Sequence, residues 1–91
     1  MKVTALFHGI LAEWVGVKRA DFELQKEALF VDVLREIGRN FRNNMPEQLW
    51  DDQQGNFASK VIAMSNGRKL KPEEPLIHGS DIAFFLMLAG G

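Results

Sequence analysis

The hydrophobic period changes twice along this chain. From Lys2 to Phe7 the residues alternate, with Val3, Ala5 and Phe7 on one side and Lys2, Thr4 and Leu6 on the other. A period of two predicts a strand whose Val3 side faces the core. Asp21-Phe22-Glu23-Leu24 repeats the alternation over a shorter span. The two strands are expected to form a hairpin with a long loop, from His8-Gly9 to Trp14-Val15-Gly16, in which Trp14 closes one end of the core. From Leu29 to Phe41 the period lengthens. Phe30, Val33, Leu34, Ile37 and Phe41 form one apolar stripe, which predicts the main helix. Asp32, Arg35, Glu36 and Arg39 fall mainly on its other side. No Ser, Thr, Asp or Asn stands at the expected N-cap, and only Glu27 lies near the positive helix end. Gly38 weakens a helix by up to ~1 kcal/mol relative to Ala, and Asn43-Asn44 is expected to end it.

The second half is more broken. Pro46 can open a short helix over Glu47 to Trp50 with Asn44 as its cap. Asp51-Asp52-Gln53-Gln54-Gly55-Asn56 is polar and turn-rich and is expected to be the least ordered segment. Lys60 to Ser65 returns to a strand, Asn66-Gly67 is a tight-turn pair, and Leu70 is a short edge pairing before Pro72 and Pro75. Leu76 to Asp81 reads as a turn feeding a last strand, Ile82 to Leu86. There Ile82, Phe84 and Leu86 face one way, and Ala83, Phe85 and Met87 the other. Both sets are apolar. A strand of this kind is either central and covered on both sides or open to a partner on one. The alternative for Phe85 is packing under Met45 to Ser59. The expected architecture is α+β: a mixed four- or five-stranded sheet, first and last strands central and parallel, with one main helix across one face.

Composition narrows the function classes. At 91 residues there is room for one domain, over residues 1–91. Eleven basic and twelve acidic residues leave a net charge of −1, which argues against nucleic-acid binding by a bulk basic field. Zero cysteines exclude disulfides, zinc-thiolate sites and a catalytic thiol. His8 and His78 are too few for a metal site, Arg68, Lys69 and Lys71 read as a solvated edge, and no phosphate-binding glycine loop or Ser-His-Asp set is present. The longest apolar run, Ile82 to Ala89, is far short of the ~20 residues of a membrane helix. These features lead to the expectation of a soluble, cytoplasmic protein with no membrane partner.

After the last strand come Leu88-Ala89-Gly90-Gly91. Gly90 and Gly91 lack a Cβ, so residues 88–91 are expected to be a slim, flexible tail able to lie close to another backbone. Its reactive group is the Gly91 carboxylate. Several further words join this ending: Lys2-Val3-Thr4-Ala5-Leu6-Phe7, Val31-Asp32-Val33-Leu34, Asn66-Gly67, Pro75-Leu76 and His78-Gly79-Ser80-Asp81-Ile82-Ala83-Phe84-Phe85. Together they resemble the β-grasp sulfur-carrier family over nearly the whole chain. That family includes the small subunit of molybdopterin synthase and the thiamin-biosynthesis sulfur carrier (MoaD- and ThiS-like proteins). Leu86-Met87 stand where the molybdopterin branch usually has two prolines, and Asn43 to Ser59 is longer than in compact members.

The resemblance implies a ubiquitin-like β-grasp fold and a protein substrate rather than an enzyme. An adenylyltransferase resembling the ubiquitin-activating enzyme would join Gly91 to AMP, using ATP and magnesium that this chain does not itself bind. A persulfide would then leave Gly91 as a thiocarboxylate. The implied role is small subunit of a molybdopterin synthase, beside its large subunit, in molybdenum or tungsten cofactor synthesis. Thiamin or tRNA thiolation, protein modification through Gly91 and a non-covalent interaction module are the alternatives. On this reading Gly90 and Gly91 are the reactive end, and Leu6, Ala83, Phe85, Met87, Leu88 and Ala89 meet the partner.

Overall fold

The computed structural model describes residues 1–87. The elements run β1 (Lys2–Phe7), α1 (Ile10–Val15), β2 (Arg19–Glu23), α2 (Phe30–Phe41), a 3-10 turn (Arg42–Asn44), β3 (Trp50–Asp51), β4 (Asn56–Phe57), β5 (Val61–Ser65), β6 (Arg68–Lys69) and β7 (Asp81–Leu86). Five strands form one mixed sheet in the order β2-β1-β7-β5-β6. β1 and β7 run parallel through its middle, with Ala5 opposite Ile82 and Phe7 opposite Phe84. β2, β5 and β6 add antiparallel. α2 lies across one face. This is the β-grasp arrangement implied by the resemblance, with the two central strands where the alternation put them.

The inner face of the sheet and the stripe of α2 make one core. Val3, Ala5, Phe7, Ile82 and Phe84 from the strands meet Phe30, Val33, Leu34 and Ile37 from the helix, all buried. Phe84 is the hub: its ring lies 5.2 Å from Phe7, 5.4 Å from Phe57 and 6.0 Å from Phe30. Asn66 and Gly67 both take positive φ, 53° and 76°, so the β5–β6 hairpin closes on the turn that this pair favours. The turn ahead of β7 is tied to β1. Gly79 N–H donates to the Lys2 carbonyl at 2.8 Å, Thr4 N–H to that of Ser80 at 3.0 Å, and Lys2 N–H to His78 Nδ1 at 3.0 Å.

The structure departs from expectation in four places. The long first loop contains α1, whose Leu11 and Val15 are buried while Trp14 packs partly against the core. α2 has a cap after all. Asp32, in its first turn, accepts the N–H of Leu29 at 2.8 Å and pairs with Arg35 at 2.7 Å. The Leu29 amide foremost, and then Arg35, holds the Asp32 carboxyl below its ordinary range.

The helix expected over Glu47 to Trp50 is absent. Met45 to Ser59 is instead a small hairpin, with Trp50 opposite Phe57. Its turn is built by Asp51, whose carboxylate accepts the N–H groups of Gln53 and Gln54 at 3.0 and 3.2 Å. Met45, Leu49, Trp50 and Phe57 are buried, and Arg42 grips Asp52 through two nitrogens at 2.9 and 3.0 Å. Lastly, Gly38 is a packing residue. A Cβ there would sit 2.8 Å from Cζ2 of Trp50, so the missing side chain is what admits the indole. Among the described residues no helix is long and apolar enough to cross a membrane.

Candidate docking face

The face of the sheet turned away from α2 is built by strand alternation. On β7 it carries Asp81, Ala83 and Phe85; on β1 it carries Lys2, Thr4 and Leu6. The ladder registers align them. Leu6 lies opposite Ala83 on one side, and Met64 opposite Ala83 on the other; Ile62 lies opposite Phe85. Leu6, Ala83 and Met64 thus form a row across three strands, and Ile62 and Phe85 a second row toward the end of β7. Leu6, Ala83, Ile62 and Met64 are half-buried, while Phe85 is 38% and Met87 53% exposed.

The Met45 to Ser59 segment does not cover Phe85. It packs on the opposite, inner face, where the Phe57 ring reaches Phe7 at 6.5 Å and Phe84 at 5.4 Å. What lies against Phe85 is His8. The two rings stack 4.8 Å apart and 10° from parallel. Ile10, 43% exposed at the start of α1, borders the same corner with Gly9 and Leu86.

The other half of this face is polar. Arg19, Asp21 and Glu23 of β2 lie opposite Leu6, Thr4 and Lys2. The hydroxyl of Thr4, 7% exposed, donates to Asp21 Oδ1 at 2.6 Å, and Arg19 Nη2 donates to the same oxygen at 3.3 Å. The Thr4 hydroxyl first, and then Arg19, keeps the Asp21 carboxyl below the usual carboxylate range. One half of the outer face is therefore an apolar area bordered by a closed polar network.

β7 ends firmly. Val61 lies opposite Leu86, and Met87 N–H donates to the Lys60 carbonyl at 2.7 Å. Leu86, on the inner side, is half-buried and borders an apolar groove of about 500 Å³ with Trp14, Pro46, Leu49, Val61 and Met87. The backbone is held up to the last described residue.

Of the eight site residues read from the sequence, Leu6, Ala83 and Phe85 come together on one face, and Met87, just past β7 and 53% exposed, borders the groove beside Leu86. Leu88, Ala89, Gly90 and Gly91 lie outside the described residues. Four neighbours were missed: Ile62, Met64, His8 and Ile10. The run Val61-Ile62-Ala63-Met64 is apolar on both sides, as in β7, and signals a strand with a second apolar face. His8 continues the outward register of β1, two residues beyond Leu6. Ile10 carried no signal without α1. Among the described residues no three His, Asp or Glu side chains are grouped to hold a metal ion.

No protein-family model and no curated protein sequence matches this chain. Solved structures do. SAMP1 from Haloferax volcanii aligns over 100% of both chains with a TM-score of 0.82 and 19% identity. The HVO 2177 protein of Haloferax volcanii aligns over 100% of this chain and 87% of its own, with a TM-score of 0.74 and 25% identity. A Pyrococcus furiosus protein assigned as molybdopterin converting factor subunit 1 aligns over 96% of this chain and 98% of its own, with a TM-score of 0.73 and 22% identity. At these identities the likeness establishes the fold, a ubiquitin-like β-grasp.

Proposed function

We propose that this chain is a sulfur carrier, a protein substrate whose Gly91 carboxyl group is activated and thiolated by partners. The observation that carries the reading is the apolar patch of Leu6 on β1 and Ala83 and Phe85 on β7, with Phe85 38% exposed, in a chain that also carries Leu88-Ala89-Gly90-Gly91. An exposed apolar face in a chain that also carries Gly90-Gly91 suits delivery of a carboxylate into a closed site. Such a site protects a reactive acyl group from water.

The chemistry follows from the carboxylate. An ionised carboxylate is a poor electrophile. Its attack on the α-phosphorus of ATP, with magnesium in the partner's site, expels pyrophosphate and forms an acyl-adenylate. A persulfide sulfur then attacks the acyl carbon and expels AMP, leaving an acyl disulfide. A second thiol of the donor attacks the outer sulfur and frees the thiocarboxylate. ATP and magnesium belong to the adenylyltransferase, and this chain supplies only Gly91 and the docking face.

The acceptor we favour is the molybdopterin precursor, with this chain as small subunit beside the large subunit of a synthase. The likeness to molybdopterin converting factor subunit 1 supports it. The second reading is a protein modifier joined through Gly91 to lysines. The likeness to SAMP1, a small archaeal modifier protein, with the higher TM-score of 0.82 against 0.73, favours that one.

Intact mass decides between them. After incubation with the adenylyltransferase of the same organism, ATP, magnesium and a persulfide donor, a carrier gains about 16 Da, oxygen replaced by sulfur. A modifier appears in higher-mass adducts with lysine-bearing proteins. An unchanged mass overturns both readings. Removal of Gly91 is expected to abolish either product while leaving the melting temperature unchanged.

A further inference from the structure

We propose that docking through the outer face requires an uncharged His8, so that the partner's hold on this chain weakens on acidification. The inference rests on reading that face as the docking surface.

The placement of His8 carries it. The backbone at His8 is fixed: its N–H donates to the Phe84 carbonyl at 3.1 Å, and its carbonyl accepts the Leu11 N–H at 3.2 Å. The ring is fixed differently. Among the described residues no hydrogen bond or ion pair reaches it, and its neighbour is the Phe85 ring at 4.8 Å. The imidazole therefore forms part of the apolar surface, with Ile10 beside it. In the free chain His8 is exposed to water.

A partner that covers Phe85 also covers His8. Burying an imidazolium against Phe85 and Ile10 costs far more than burying the neutral ring. The charged groups on the surrounding elements give little compensation. They are Lys2 on β1, Glu13 on α1, Arg19, Asp21 and Glu23 on β2 and Asp81 at the far end of β7, with Lys18 just ahead of β2 and Lys60 just ahead of β5. Of the anions, Asp21 is already engaged by Thr4 and Arg19, and Glu23 by the N-terminal amine of Met1. Imidazole is also the side chain that changes charge between pH 5 and 8. Docking and proton binding then compete, and by linkage each weakens the other.

The test is adenylation of the intact chain by the adenylyltransferase of the same organism, read as the KM for this chain at pH 7.5 and pH 5.5. The wild type is compared with His8→Phe, which keeps the stacked ring and cannot be protonated, and with His8→Lys, which is charged at both values. Circular dichroism confirms that both variants are folded. The ratio of wild-type to His8→Phe KM cancels the enzyme's own pH dependence. That ratio is expected to rise several-fold on acidification. His8→Lys is expected to dock poorly at both values.

A ratio that does not change with pH overturns the inference and leaves the carrier reading standing. So does a ratio that falls at pH 5.5, which would place a partner carboxylate against His8. Absence of wild-type adenylation at both values overturns the carrier reading and this inference with it.

Discussion

Phe84 and Phe85 are neighbours in sequence and in one strand, yet one is 1% and the other 38% exposed. Phe84 points into the core and meets Phe7, Phe30 and Phe57; Phe85 points outward and meets only the ring of His8 among aromatic partners. The same side chain thus serves stability on one face and is available for recognition on the other. The difference teaches that an apolar strand in a small sheet need not be a wholly buried one. α2 and the β3–β4 hairpin both cover the inner face.

Truncation at the hub should show the largest effect. Phe84→Ala is expected to cost about 3–5 kcal/mol, which at this size lowers the melting temperature by roughly 15–30 °C. Thermal denaturation followed by circular dichroism measures it.

Phe85→Ala is the counterpart. It should lose less than about 1.5 kcal/mol of stability but about 2 kcal/mol of docking, close to 30-fold in affinity for the adenylyltransferase. Calorimetric titration and a melt on the same sample read both quantities. Equal melting losses for the two variants would erase the contrast between the faces.

Gly38→Ala sharpens the comparison from the covered side. Helix propensity alone favours Ala by up to ~1 kcal/mol. The new Cβ, 2.8 Å from Trp50, must displace an indole held in the core. A net loss of about 1–3 kcal/mol is expected from such overpacking, read as a fall in the urea midpoint at constant slope.

The smallest effect is at the helix cap. Asp32→Asn should cost about 0.5 kcal/mol at neutral pH, from weaker interaction with the helix end and Arg35. The sign of the pH dependence follows from a carboxyl whose folded pKa is lowered. Its contribution is present above the unfolded value, ~3.9, and is lost as pH falls through the folded one. Melting curves of wild type and variant should therefore converge in acid.

Much of the inner face was legible in the chain. The alternation of Val3, Ala5 and Phe7, the stripe from Phe30 to Ile37 and the Asn66-Gly67 turn are local signals, set by two periods and one pair of residues tolerant of positive φ. The missed elements lack such signals. α1 has only six residues, sits between Gly9 and Gly16, and has no side-chain cap; its C-terminal carbonyl at Val15 is met instead by Asn44 Nδ2 at 3.1 Å. The β3–β4 hairpin depends on Trp50 finding the space beside Gly38, a contact between residues far apart in the chain.

For the candidate site the division runs along the same line. Leu6, Ala83, Phe85 and Met87 could be named together because a strand alternates whatever surrounds it. Ile62, Met64 and His8 joined them only through pairing. β5 had to lie beside β7, and the chain had to turn after Phe7, before those side chains shared a surface. The sequence by itself determined which residues of each strand could point the same way. Tertiary structure decided which of the two sides α2 and the hairpin would cover. Covering depends on which distant apolar surfaces fit one another, and no local period encodes that fit.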